Sequence, residues 1–219
     1  MIRRPPRSTL DRSSAASDVY KRQVCKRGCK WLKKIFRVAQ KKKDNSMPDE
    51  LEVGDRAPNF ELPACYGYKA GASSPSAEEK VKVSLKDFED KKWVVLAFYR
   101  QDSSPEDTRL MVGFNEWNRK FKTREVEVLG CSWNGVNAHQ QFIEVFQFGF
   151  TLLADEHKKV TEQYGVIKEE EDLGEMVKYI ERATFVIDKT GMIRAIWRNP
   201  EDLREHPASI WEFIQKEKK

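Results

Sequence analysis

A chain of 219 residues has room for one substantial domain and a tail, and 39% hydrophobic residues with six Trp, six Tyr and twelve Phe suffice for one core. No apolar run approaches the roughly 18–20 residues of a membrane-spanning helix. The net charge of +5 hides two opposed parts: residues 1–46 carry 15 Lys/Arg against 3 Asp, and the remaining 173 carry 25 Lys/Arg against 32 Asp/Glu. The larger part is therefore acidic, the wrong sign for a nucleic-acid binder.

In chain order the tail comes first. Residues 1–23 are rich in Arg and Ser and poor in acids, the composition of an organelle transit peptide, but they resemble translated sequencing-adapter sequence and are set apart from functional reasoning. Residues 24–46, with Trp31, Leu32, Ile35, Phe36 and Ala39 on one helical face amid lysines, suit an acidic membrane surface or a helix-binding partner through residues 30–43. The other reading is an untranslated leader carried into frame, with Met47 as the start. The expected division is thus a basic tail, 1–46, and a domain, 47–219.

Within that domain, residues 54–63 form a short extended lead-in and 64–82 a Gly/Ser/Pro/Lys loop. The apolar run WVVLAFYR, 93–100, suits a strand covered on both faces. Leu110, Phe114, Trp117 and Phe121 then recur at helical spacing, which predicts a helix over 105–122. VEVLGCSW, 126–133, is a second buried strand. A helix over 137–148, a short strand TLLAD and a short helix over 157–164 follow. ATFVID, 183–188, and MIRAIWR, 192–198, straddle a Lys-Thr-Gly turn as a hairpin, and an amphipathic helix over 207–216 closes the chain. This order predicts an α/β, thioredoxin-like fold with a central mixed sheet flanked by helices.

Motifs for cofactors are missing: there is no GxGxxG, Walker or EF-hand loop. Cys25, Cys29, Cys65 and Cys131 form no CxxC pair, and His139, His157 and His206 are scattered without an obvious second ligand. Neither a metal nor a cofactor is expected. Free thiols favour a reducing compartment, so the expected location is the cytoplasm.

The segments GDRAPNFELP, VSLKDFEDKKWVVLAFY, VEVLGCSWN, TLLADEHKKVTEQYGV and ERATFVIDKTGMIRAIWR resemble, in order and spacing, the peroxiredoxins (AhpC/TSA). The insert before ERATFVID looks most like the bacterioferritin-comigratory, or Q-type, branch. The resemblance covers about residues 52–214. It implies a Pro-x-x-x-Thr/Ser-x-x-Cys motif after VVLAFY, whose cysteine attacks a peroxide. It also implies an arginine from the later hairpin that favours the thiolate. Carried over, the hydroxyl position is Ser104, the proline Pro105 and the arginine Arg182. Arg100 replaces the leading proline, Glu106 the usual glycine, and Asp107 the peroxidatic cysteine. Val112 stands where the Q-type branch often has its resolving cysteine.

A carboxylate cannot run a sulfenic-acid cycle, so the family's antioxidant peroxidase activity is expected to be lost and a binding or regulatory role to remain. Asp107 is expected to pair with Arg182. With Ser104 as N-cap and Pro105 at the first helical position, Asp107 also makes a capping-box-like start. The alternatives are a peroxidase working through Cys65, less readily through Cys131, with a thioredoxin-like reductant, or a partner binder acting through the basic helix. A homodimer is allowed.

Overall fold

In the computed structural model, residues 50–67, 81–172 and 174–218 are described, all within one compact unit, Pro48–Lys219. The basic tail, with its proposed amphipathic helix, lies outside the described residues. Among the described residues, nine strands and four helices alternate in chain order: β1 (Glu61–Cys65), β2 (Lys82–Ser84), β3 (Trp93–Phe98), α1 (Pro105–Thr123), β4 (Val126–Ser132), α2 (Val136–Phe146), β5 (Thr151–Ala154), α3 (Lys159–Gln163), β6 (Ile167–Asp172), β7 (Glu175–Ile180), β8 (Ala183–Ile187), β9 (Ile193–Arg198) and α4 (His206–Glu217). A 3-10 turn, Leu85–Phe88, links β2 to β3.

Seven strands form one mixed sheet in the order β2-β1-β5-β4-β3-β8-β9. Strands β3, β4 and β5 are mutually parallel, and β8 returns antiparallel against β3. The apolar run of β3 is continuous because both faces are covered. Val94, Leu96 and Phe98 enter one core with Phe60, Leu85, Val160 and Tyr164. Val95 and Ala97 enter the other with Leu110, Phe114 and Phe121 of α1, Phe142 of α2 and Ile210 of α4. Alternation is present but masked, since each parity finds its own apolar layer.

Within the domain, the sequence-predicted helices, hairpin and buried strands are found, with ends moved by one or two residues. Three expectations need correction. Ala64 and Cys65 end β1 and Lys82 begins β2, so the 64–82 loop is shorter than expected, and its residues 68–80 lie outside the described ones. The second helix stops at Phe146 because Gln147 turns left-handed, at φ 53°. Residues 167–180, read only as an insert, fold into a two-stranded hairpin of β6 and β7 apart from the main sheet. Among the described residues no helix is long and apolar enough to cross a membrane.

Candidate functional site

The site lies where β3 ends and α1 begins. Phe98, the last residue of β3, pairs with Cys131 on one side and Ala183 on the other. That register sets Arg182 beside the corner although it is 75 residues from Asp107 in sequence. The chain then turns through Ser103, at φ 61°, and Ser104 caps the helix from extended backbone with Pro105 first in it. Pro105 suits this place, since its fixed φ matches the helix and its missing N–H would have had no intrahelical acceptor.

Asp107 points into this corner and its side chain is 0% exposed, against 18% for Arg182. Arg182 Nε donates to its Oδ1 at 2.6 Å. The Ser104 hydroxyl donates to Oδ2 at 2.6 Å and the Gln101 amide to the same oxygen at 3.2 Å. The Ser104 oxygen in turn accepts from the Asp107 amide at 3.2 Å. The expected pairing of Asp107 with Arg182 is therefore present. The reciprocal capping-box bond to the Ser104 amide is not: the short Asp side chain is held by the Gln101 amide instead. Charge-assisted bonds of this kind are the strong ones, and here they satisfy a carboxylate removed from water.

Arg100 and Glu106, the departures flanking this corner, are both exposed. The Arg100 guanidinium lies 4.1 Å from the ring centre of Tyr179 on β7, so the separate hairpin leans on the corner through a cation–π contact. Val112 is half-buried on α1 against the helix-side core.

Two thiols are described. Cys65, half-buried at the end of β1, donates to the Val136 carbonyl at 3.0 Å, and burial together with the Asp102 charge pushes its pKa up to about 11. Cys131 is wholly buried in β4, where burial and then Asp155 hold its thiol well above the usual range. Both environments oppose the thiolate, which is the reactive form. Cys25 and Cys29 lie outside the described residues.

Directly behind the corner lies a buried cluster that the spacing of residues did not reveal. Tyr99 donates to Asp102 Oδ1 at 2.6 Å, and His139 Nδ1 stands 2.8 Å from Asp102 Oδ2. His139 Nε2 faces the Leu153 carbonyl, which can only accept, at 3.1 Å. The Asp102 amide donates to Asn134 Oδ1 at 3.0 Å. Together these bonds fasten the turn to α2 and to the end of β4. One signal was available: His139, Phe142 and Ile143 share the buried face of α2 at helical spacing. Among the described residues no group of three or more His, Cys, Asp and Glu is placed to hold a metal.

The model of the AhpC/TSA family matches residues 53–196. A putative peroxiredoxin bcp from Coxiella burnetii is 39% identical over 147 residues, covering 67% of this chain and 88% of the relative. Peroxiredoxin Bcp of Bacillus subtilis is 31% identical over 165 residues, with 75% and 96% covered. Among solved structures, a cysteine-to-serine mutant of Xylella fastidiosa PrxQ superposes with a TM-score of 0.67 at 24% identity, covering 78% of this chain and 99% of that one. That likeness concerns the fold.

Proposed function

The chain belongs to the AhpC/TSA family, the peroxiredoxins, and from that premise we propose that it keeps the family's fold without its thiol chemistry and works as a binding or regulatory module. One observation carries this reading. At the corner where the resemblance expects a peroxidatic cysteine, the buried group is the Asp107 carboxylate, held by Arg182, Ser104 and the Gln101 amide.

Peroxide reduction requires a sulfur that attacks one oxygen of the O–O bond, becomes a sulfenic acid, and is returned to thiol by a second thiol. A carboxylate offers no electron pair of comparable nucleophilicity and no oxidation state to cycle through. The corner's donors are engaged by Asp107 itself, so the electrostatics that would favour a thiolate now stabilise a fixed ion pair. Cys65 and Cys131 are poor substitutes, for both are biased towards the protonated thiol. On this reading the protein needs no thioredoxin-like reductant. A cytoplasmic location and a homodimer belong to the same proposal.

The test is peroxide consumption by the purified chain with dithiothreitol or a thioredoxin system. The expected rate is that of unactivated thiols. Asp107→Cys should raise it, because Ser104 and Arg182 already flank the position, and adding Glu106→Gly should raise it further by removing a negative charge beside the thiolate. Wild-type turnover that disappears on Cys65→Ser or Cys131→Ser would overturn the proposal.

A further inference from the structure

Among the described residues the β6–β7 hairpin pairs with no other strand. Its base is anchored: Ile180 is buried, and Tyr179 lies under the Arg100 guanidinium. Beyond that base both strands are exposed, over residues 169–172 of β6 and 175–178 of β7. A hairpin of two strands is at best marginally stable in water, and a third strand is what completes such a unit.

The outer edge of β6 is open to that strand. In antiparallel pairing, hydrogen-bonded and non-hydrogen-bonded residue pairs alternate. The Glu181 amide donates to the Val166 carbonyl at 2.7 Å, which marks these two as a bonded pair. In the register that follows, Ile167↔Ile180, Glu169↔Lys178 and Glu171↔Met176 are then the non-bonded pairs. The main-chain amides and carbonyls of Glu169 and Glu171 therefore point away from β7, and no main-chain group meets them among the described residues.

The side chains beside that edge say what the added strand carries. Successive strand residues point to opposite faces, so Glu169 and Glu171 lie on one face and Glu170 and Asp172 on the other. Glu169 is paired with Lys178 at 3.2 Å, while Glu170, Glu171 and Asp172 have no ion pair among the described residues. Lys168 is drawn instead to Glu50 at 3.5 Å and Glu181 at 3.9 Å. A second copy of this chain on the edge would set carboxylate against carboxylate, which is destabilising. A strand with cations on both faces meets an opposite charge at each position. Met176 and Val177, 64% and 46% exposed, stand directly across from Glu171 and Glu170, so each face also offers apolar surface. Lysine and arginine lay their apolar stems on such surface while their charged ends reach the acids.

We propose that the β6 edge binds an extended peptide segment of consecutive lysine or arginine residues as a third strand of the hairpin. Glu169 and Glu171 supply the main-chain donors and acceptors, and Glu170, Glu171 and Asp172 supply the counter-charges. This gives a partner class to the binding role proposed above but does not rest on Asp107. Peroxide turnover would overturn the reading of that corner and leave this one standing, and failure of the peptide to bind would do the reverse.

The test is an NMR titration of the full chain with an acetylated, amidated tetra-arginine peptide. The same peptide N-methylated at every residue, and the polyamine spermine, are titrated separately. Saturable shifts are expected at residues 169–172, with the Glu169 and Glu171 amide protons becoming slow to exchange. Spermine, which matches the charge but has no main chain, and the N-methylated peptide, which cannot donate, should each bind at least about tenfold more weakly. Glu171→Gln should weaken the peptide by about threefold, and Glu171→Pro by about tenfold more, because proline removes an outward amide that the hairpin itself does not use. Glu170→Lys, which leaves the main chain intact, should weaken it by about tenfold whether or not the proline variant keeps its hairpin. Spermine or the N-methylated peptide matching tetra-arginine, indifference to Glu170→Lys, a proline variant no weaker than the glutamine one, shifts confined to residues outside the hairpin, or no binding at all would each overturn it.

Discussion

The Asp107 carboxylate accepts from a guanidinium, a hydroxyl and a backbone amide, and no water-facing surface remains to take over if one of them is lost. Asp107→Asn keeps the shape but leaves Arg182 without its counter-charge. It should lower stability by about 2–4 kcal/mol in urea unfolding, somewhat below a fully buried pair because Arg182 is partly exposed. A change within error would mean that the pair is energetically idle. His206 makes a second residue-scale case. It lies buried against Phe114 and Trp197, bonded to Thr184 at 3.0 Å, and burial lowers its pKa from 6.5 to about 4. Between those values the unfolded chain binds a proton that the folded one refuses, so stability rises with pH. The contribution is complete above about 6.5 and is lost as pH falls through about 4. His206→Gln should flatten the acid limb of the stability curve by an amount on the order of 3 kcal/mol at its extreme. An unchanged limb would assign that acid sensitivity elsewhere.

Between elements, close approach decides what propensity alone does not. Gly113 sits inside α1, where alanine would be favoured by about 1 kcal/mol. A Cβ there would stand 2.5 Å from the Arg204 carbonyl oxygen, in the segment leading into α4. Gly113→Ala should therefore destabilise, by about 1–3 kcal/mol, reversing the helix-propensity order. Thermal melts of the two proteins give the sign directly, and a raised melting temperature would show that the segment yields freely. The β6–β7 hairpin shows the reverse problem. Glu169, Glu170, Glu171 and Asp172 are exposed whichever way they point, so the strand has no buried face and no alternation to read. Its contact with the corner, Arg100 on Tyr179, joins residues far apart in the chain.

At the scale of the whole molecule, both faces of the seven-stranded sheet are covered by residues from position 57 onward. Removal of residues 1–46 should accordingly leave the melting temperature nearly unchanged, the expectation for a domain with its own complete core. A large drop on truncation would show that the basic tail contributes to the folded unit.

The sequence by itself determined the α/β order and the family resemblance. Strands covered on both faces must be continuously apolar, and helix starts announce themselves locally through Ser104 and Pro105. It also determined that the first turn of α1 carries an acid, Asp107, and no cysteine. The family resemblance also led to Arg182 as the partner of that carboxylate, but only the tertiary structure decided the geometry of the pair and added the Gln101 amide. Arg182 reaches it through the pairing of β3 with β8, and the Tyr99–Asp102–His139 cluster forms where three elements converge. Asn118 likewise looks like any polar helix residue until Gly149 claims its nitrogen and leaves its oxygen without a partner among the described residues. Local patterns record burial and capping, which act over a few residues. Electrostatic and hydrogen-bond partners are set by strand register and helix packing, which join residues dozens of positions apart.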